Sequence, residues 1–343
     1  MKKNLIIFFL FFTIGVYAQT DIISLTDGKI QGTSNVDKTV RIFKGIPFAA
    51  PPVGNLRWKA PQPVNKWTGI KKTTDFSASP IQNKPEPVFS WTEEFIAQPE
   101  PLSEDCLYLN VWTSAKAKKE KQAVFVWIYG GGLSSGSANC AIYDGEEMAK
   151  KGVVFFSINK RVGVFWFLAH PELSKESGKN ASGNYGFLDQ IAALKWVQKN
   201  IEAFGGDPAK VTIAGESAGS ASVSVQMASP LSKGLIAGAI GESGAGINPT
   251  MSPVPLAQAE KAGVAFAEKV GAKSLKDLRA MSARELFEIA QETRTLSFST
   301  VVDGYFLPKT LPELFNAKQQ SMVPLLLGWN SAEIPGGAFM QGK

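Results

Sequence analysis

The sequence predicts an α/β fold in which helices cover both faces of a mostly parallel central sheet. Short apolar runs rich in β-branched and aromatic residues, Ala123 to Tyr129 and Val153 to Ile158, are typical of strands buried on both faces of such a sheet. A helical pattern over Phe187 to Phe204 separates them from the next strand. This alternation favours parallel strands joined by helical crossovers. With 343 residues, 44% of them hydrophobic, the chain can form one large domain or two smaller ones.

The region before the sheet is rich in turns as far as Trp67. The stretch from Gly45 to Trp58 carries three prolines, which exclude a long helix. The stretch from Gln82 to Cys106 is rich in proline and charge, and predicts a long surface loop that leads into a strand at Leu107 to Trp112.

The first long helix is predicted to end at "GGDP", directly after Phe204. A strand, Lys210 to Glu216, and a helix, Ala218 to Ser229, follow it. The apolar positions of the long helix recur at helical spacing: Phe187, Ile191, Leu194, Val197, Ile201 and Phe204.

The last third of the chain predicts two further amphipathic helical segments, Leu256 to Gly271 and Ser274 to Thr293. Their position after the first strands and helices indicates an insertion or cap. A buried strand is predicted within Met322 to Asn330.

The first 18 residues have the pattern of a secretory signal peptide. Lys2 and Lys3 precede an apolar stretch from Leu5 to Val16, and a small-x-Ala pattern ends at Ala18. We therefore predict cleavage after Ala18 and a secreted or periplasmic domain over 19–343. The apolar stretch is shorter than the ~20 residues that a membrane span needs, so an uncleaved anchor is the less favoured alternative.

Charge and cysteine usage exclude several classes of function. The net charge of +6 is mild, and no basic run is interleaved with aromatic residues, so nucleic-acid binding is not predicted. The chain has two cysteines, Cys106 and Cys140, and one histidine, His170, which gives no support for a zinc site. We expect no metal and no organic cofactor. Oxidation of the two cysteines stays open in an exported protein.

The stretch "GESAG", Gly215 to Gly219, fits the G-x-S-x-G pattern of a nucleophile elbow. In such an elbow the serine lies on a strained turn between a strand and a helix, where larger neighbours would collide with the backbone. The predicted strand and helix on either side supply that context. Ser217 is therefore the candidate nucleophile.

Three consecutive glycines, Gly130 to Gly132, directly follow the strand that ends near Tyr129. Glycine lets the backbone approach a ligand closely, so that amides can point at a developing oxyanion. Alone, such a run is more simply a flexible turn. Together with the elbow it predicts an oxyanion loop.

Several long segments resemble the type-B carboxylesterases, a family that includes the cholinesterases. They are "FKGIPFAAPPVGNLRW", "SEDCLYLNVW", "VWIYGGGLSSGS", "RVGVFWFLAHPEL", "NYGFLDQIAALKWVQKNIEAFGGDPAKVTIAGESAGSASV", "VVDGYFLP" and "LLLGWNSAE". The resemblance implies an α/β-hydrolase fold and hydrolysis of a small-molecule ester without a cofactor. It also implies that Ser217 forms an acyl-enzyme, that Glu333 orients the base, and that the amides of Gly131, Gly132 and Ala218 form the oxyanion hole.

The same resemblance implies roles for several charged residues. Arg57 with Glu104, and Arg161 with Asp189, are expected to form structural ion pairs behind the site. Glu216, inside the elbow, is expected to be a buried and hydrogen-bonded support.

The chain departs from the family pattern at three places. Trp166 stands where glycine is usual, and Lys160 stands where tyrosine is frequent, both near the segment behind the glycine loop. The family's usual disulfide has no upstream partner for Cys106, so a free thiol is expected there. Pairing of Cys106 with Cys140 remains an alternative.

The base that a serine nucleophile needs is missing from the expected place. The order in α/β-hydrolases is serine, acid, histidine, whereas His170 precedes Ser217. In the family the base lies well beyond the acid, and ten residues follow Glu333 here. We therefore expect a chain that lacks the base and the last strands and helices of the fold, with Pro324 to Gly328 left as an exposed apolar edge.

Three hypotheses follow from the sequence. The first is an exported serine carboxylic-ester hydrolase represented by its N-terminal part. The second is a non-enzymatic binding protein, since the family includes adhesion proteins on the same fold. The third is an inactive fragment. The retained Ser217, Glu333 and glycine loop favour an enzymatic origin.

Overall fold

The structure, a computed structural model, describes residues 21–84, 86, 92–98, 100–247, 252–292 and 299–333. The predicted signal peptide, 1–18, lies outside these residues. The strands are β1 (Ile22–Ser24), β2 (Lys29–Gln31), β3 (Thr33–Ser34), β4 (Arg41–Pro47), β5 (Ile70–Lys72), β6 (Ser79–Pro80), β7 (Leu102–Ser103), β8 (Tyr108–Thr113), β9 (Gln122–Ile128), β10 (Val153–Ile158), β11 (Gly206–Glu216), β12 (Gly238–Glu242), β13 (Val254–Pro255), β14 (Val301–Val302) and β15 (Leu325–Gly328).

The α-helices of the described residues are α1 (Glu146–Lys150), α2 (Val164–Phe167), α3 (Pro171–Glu176), α4 (Tyr185–Asn200), α5 (Ala218–Ala228), α6 (Leu256–Lys269), α7 (Leu275–Ala280), α8 (Ala283–Glu292) and α9 (Leu311–Asn316). Short 3-10 helices occupy Gly54–Leu56, Glu93–Phe95, Lys118–Glu120, Ala141–Tyr143, Ile201–Phe204 and Pro230–Ser232.

The central sheet has eight strands in the order β15-β12-β11-β9-β10-β8-β4-β3. The five strands from β15 to β10 run parallel, and β8, β4 and β3 continue the sheet antiparallel. The prediction of a mostly parallel sheet is therefore confirmed. Three small sheets, β1-β2-β5, β6-β7 and β13-β14, lie outside it.

Helices cover both faces of the central sheet, as predicted. Successive residues of a strand point to opposite faces, so Phe155 and Phe156 of β10 enter different clusters. Phe156 packs in the cluster that contains Leu194 of α4 and Val223 of α5. Phe155 packs in the cluster that contains Ala149 of α1. The two layers hold the parallel strands in place between them.

The long predicted helix is present and ends where the glycines predict. α4 covers 185–200 and continues as a 3-10 turn through Phe204. Gly205 then adopts a φ of 82°, a conformation that glycine reaches without steric cost. The following strand begins earlier than predicted, at Gly206, because the chain is already paired there with Gln122 of β9.

The predicted cap helices pack beside the segment that leads from β10 to α4. The second predicted segment is divided at Ser282 into α7 and α8, and the Ser282 hydroxyl accepts a hydrogen bond from the amide of Glu285. Phe266 of α6, Leu278 of α7 and Leu286 of α8 share one buried cluster. Thr293, the end of the predicted segment, lies outside the described residues.

The strand predicted within Met322 to Asn330 is present, but the expectation that it is buried was wrong, whereas the expectation of an exposed apolar edge agrees with the structure. β15 pairs with β12 on one side, and no other described strand pairs with it. Leu326 and Leu327 are 65% and 59% exposed, although their strand is parallel and apolar on both faces. Across the part of the chain that the structure describes, no helix combines the length and the apolar character of a membrane span.

Candidate active site

Ser217 lies on a strained turn between β11 and α5. Its φ of 54° and ψ of −121° are sparsely populated by residues other than glycine. The Ser217 amide donates to the carbonyl of Glu242 at 2.8 Å, which fixes the turn against β12. The side chain is therefore presented beyond the carboxyl end of the parallel strands, partly exposed.

The two glycines of the elbow motif are required by close packing. A Cβ on Gly215 would lie 2.6 Å from the carbonyl oxygen of Ile128, at the end of β9. A Cβ on Gly219 would collide with the same oxygen. The motif therefore allows α5 to start directly against β9, where the glycine loop begins.

The glycine loop lies beside the elbow. A Cβ on Gly130 would lie 3.2 Å from the Cβ of Ser217, so the loop and the serine touch. Gly131 and Gly132 adopt φ values of 85° and 62°. Within the described residues, the amides of Gly131, Gly132 and Ala218 donate no hydrogen bond. Unpaired amides next to a serine hydroxyl are suited to an oxyanion.

Polar contacts hold the segment that follows the glycine loop in place. The Gln82 side chain forms two hydrogen bonds with Gly136, donating at 2.9 Å and accepting at 2.8 Å. The Asn159 side chain accepts from the amide of Ala138 at 2.8 Å. Sequence reasoning missed Gln82, which lies 54 residues from its partner within a proline-rich stretch.

Glu333 follows β15 at the same end of the sheet. Its Oε1 accepts hydrogen bonds from the Ser243 hydroxyl at 2.6 Å and from the Asn330 amide at 2.9 Å. These bonds lower the pKa of the Glu333 carboxyl, so it is ionised at neutral pH. Sequence reasoning missed Ser243, although the triplet Gly-Glu-Ser of the elbow recurs at 241–243.

Glu216 is not the buried support that the sequence predicts. The Glu216 side chain is exposed, and it forms no hydrogen bond with another described residue. Partial desolvation raises the pKa of Glu216, and the negative charges of Glu333 and Glu242 raise it further. The expectation was wrong because β11 ends at Glu216, which places this side chain at the open end of the sheet, close to the charges of Glu242 and Glu333.

His170 has a local structural contact. Its Nδ1 accepts a hydrogen bond from the Glu172 amide at 3.2 Å, so the side chain caps the N-terminus of α3. Its own amide donates to Ser182. The residue is buried in this position.

Both predicted ion pairs are present. Arg57 and Glu104 are joined by two hydrogen bonds of 2.6 Å, and Arg57 also donates to the carbonyl of Met281 between α7 and α8. Arg161 and Asp189 form a fully buried pair, with a shortest distance of 2.6 Å. These pairs join the cap and α4 to the loops behind the glycine loop.

The two thiols are free and buried. Burial raises the pKa of Cys140 to about 11 and that of Cys106 well above its usual value. The alternative of a disulfide is therefore wrong for this structure. Among the described residues, no group of His, Cys, Asp and Glu side chains could hold a metal ion.

The class of protein follows from this arrangement. A serine on a strained turn between a parallel strand and a helix, beside a glycine loop from the neighbouring strand, defines an α/β-hydrolase. A family model described as "Carboxylesterase family" matches residues 19–342. The chain belongs to the carboxylesterase family.

Relatives and solved structures agree with this assignment. Fumonisin B1 esterase of Sphingopyxis macrogoltabida is 40% identical over 338 residues, which cover 95% of this chain and 59% of that protein. Cholinesterase of Mus musculus is 38% identical, over 93% of this chain and 54% of that protein. The solved carboxylesterase of Geobacillus stearothermophilus has a TM-score of 0.81 at 34% identity, over 94% of this chain and 64% of its own. The chain thus spans less than two thirds of each of these proteins.

Proposed function

We propose that this chain carries the nucleophile and the oxyanion hole of a serine carboxylic-ester hydrolase. The observation that supports it most strongly is the contact between the strained Ser217 turn and a glycine loop with unpaired amides. In this proposal the Ser217 hydroxyl attacks the ester carbonyl carbon, and its proton passes to a base. The oxyanion is held by the amides of Gly131, Gly132 and Ala218 until the alcohol leaves. Water then hydrolyses the acyl-serine.

The oxyanion hole contributes to rate because its donors are fixed before the reaction. Removing one such donor typically lowers kcat by about 10²–10³. The positive φ values of Gly131 and Gly132 support this role, since they turn successive amides of the loop.

In the same proposal Glu333 orients the base, and the base comes from outside these 343 residues. His170 caps α3 through its Nδ1, and it is the chain's one histidine. Ionised Glu333 lies at the carboxyl end of the sheet, as Ser217 does, and can accept a hydrogen bond from an imidazole placed there.

The proposed substrate is a small-molecule carboxylic ester. Relatives of this chain include a fumonisin B1 esterase, a cocaine esterase and a pyrethroid hydrolase, and each of these names gives a different substrate. Export of the protein, part of the same proposal, depends on the predicted signal peptide before Gln19.

Chemical rescue by imidazole tests the proposal. Imidazole in solution can accept the Ser217 proton if the site is complete except for its base. We expect the purified chain to hydrolyse p-nitrophenyl butyrate faster than its Ser217→Ala variant only when imidazole is present. The variant serves as the matched control, because it shows the reaction of imidazole with the ester alone.

Two outcomes would contradict the proposal in different ways. If hydrolysis in the absence of imidazole depends on Ser217, a base lies within these 343 residues. If Ser217 makes no difference to hydrolysis even with imidazole, the chain does not carry a working esterase site, which would favour the binding-protein or the inactive-fragment hypothesis.

A further inference from the structure

Lys160 is a buried lysine that the proposed chemistry does not use. It follows β10, and the whole residue is inaccessible to solvent. Among the described residues it forms no ion pair, because the Asp189 carboxylate is bound by Arg161 through both oxygens. A buried charge without a partner is costly, so the position requires another explanation.

The Lys160 amine contacts Tyr129 through both the backbone and the ring. Nζ donates to the Tyr129 carbonyl at 3.1 Å and lies 3.0 Å from the centre of the Tyr129 ring. In return, the Tyr129 hydroxyl donates to the carbonyl of Lys160 at 3.2 Å. The Trp166 ring, another departure from the family pattern, has its centre 5.7 Å from Nζ.

The surroundings favour an uncharged amine. Burial lowers the pKa of Lys160 well below its usual value, and the acidic groups Asp189, Cys140 and Cys106 offset only part of this effect. A neutral amine still donates hydrogen bonds, so the contact with the Tyr129 carbonyl does not require a buried charge.

The contact between Lys160 and Tyr129 lies at one end of the glycine loop. Tyr129 directly precedes the glycine loop, and Leu133 directly follows it. The Tyr129 carbonyl is bound by Lys160, and the Leu133 carbonyl accepts from the Gly163 amide at 2.9 Å. The segment 160–163 therefore binds the loop at both of its ends.

We propose that Lys160 is a positioning residue that holds the glycine loop in its anion-binding arrangement through the Tyr129 carbonyl. That carbonyl belongs to the same peptide plane as the Gly130 amide, so the contact fixes the peptide from which the glycine loop starts. The role of the loop depends on the proposed function, whereas the contact that orients it does not.

The test uses the chain labelled with ¹⁵N-glycine. A hydrogen bond at the Tyr129 carbonyl deshields the Gly130 nitrogen, so Lys160→Met is expected to move that ¹⁵N signal upfield. Loop exchange is read at the Gly163 amide, which binds the Leu133 carbonyl at the other end of the loop. It is expected to become about fivefold faster, the factor that corresponds to about 1 kcal/mol, the net contribution of one hydrogen bond. A merely structural role for Lys160 would change overall stability without the Gly130 signature.

Tyr129→Phe is the matched control. It removes the hydrogen bond from the tyrosine hydroxyl and leaves the one from Lys160 intact, so the Gly130 signal and loop exchange are expected to stay as in the wild type. If Lys160→Met does not fold, Lys160→Leu replaces it, because the leucine side chain has no hydrogen-bond donor.

The proposal is overturned if the variant at Lys160 leaves the Gly130 signal and loop exchange unchanged, or if Tyr129→Phe changes them equally. Imidazole-dependent hydrolysis is a separate readout. A normal Gly130 signature without any hydrolysis contradicts the proposed function alone, and the reverse contradicts the role of Lys160 alone.

Discussion

At the residue scale, the candidate site combines residues of local and distant origin. Ser217 and the glycine loop could be predicted from the sequence because each motif is continuous and lies beside its own strand. Ser243 and Gln82 could not, because their partners lie 90 and 54 residues away and depend on how the strands are ordered. Glu216 was misjudged for the same reason, since its exposure depends on what surrounds the end of β11.

The contact between Ser243 and Glu333 predicts a pKa change. Glu333 has a lowered pKa mainly because the Ser243 hydroxyl donates to its ionised form. Removing that donor in Ser243→Ala should raise the pKa of Glu333 toward the usual value for glutamate. Carboxyl ¹³C titration by NMR measures this pKa, and Ser134→Ala, two residues after the glycine loop, is the control. An unchanged pKa in Ser243→Ala would contradict the described contact.

At the element scale, strands and helices with strong patterns were predicted well and weak ones were not. β9 and β10 were predicted to within one residue of their observed ends, because their runs are apolar and bounded by turns. β12, the sequence Gly-Ala-Ile-Gly-Glu, was missed because glycine and alanine have low strand propensity. It forms a strand because β11 and β15 pair with it on either side.

The close approach of α5 to β9 predicts a difference between two glycines. In Gly219→Ala the new methyl group collides with the Ile128 carbonyl, so the free energy of unfolding should fall by about 3 kcal/mol, the upper part of the range for overpacking. Gly328 has open space around it, so Gly328→Ala should change the free energy of unfolding by less than about 0.5 kcal/mol. Equilibrium urea unfolding measures both. Equal effects would show that α5 does not pack as described.

At the scale of the whole molecule, the fold class was predicted correctly. The two ends of the central sheet differ in strand direction and in exposure. At the antiparallel end, β8 was predicted as a strand, whereas β3 and β4 were not, because they lie within a turn-rich region. The other end is the exposed strand β15, which carries leucines on both faces. An apolar strand edge of this kind promotes association with other chains.

The exposure of β15 predicts that its leucines contribute little to the stability of this chain. Leu326→Ala should change the free energy of unfolding by less than about 0.5 kcal/mol, because Leu326 is 65% exposed. Leu194→Ala, the same substitution in the core of α4, should cost about 2–5 kcal/mol. Denaturant unfolding compares the two. A large loss in Leu326→Ala would mean that β15 is covered in solution.

The most direct test of the central claim, that Ser217 is the nucleophile of this site, is to locate a covalent adduct. A fluorophosphonate loses fluoride when a serine oxygen attacks its phosphorus, and the adduct is stable enough for mass spectrometry. In imidazole buffer we expect one phosphonyl group per chain, on the peptide that contains Ser217, and none in Ser217→Ala. A phosphonyl group on Ser220 or Ser243, or labelling that persists in Ser217→Ala, would contradict the account.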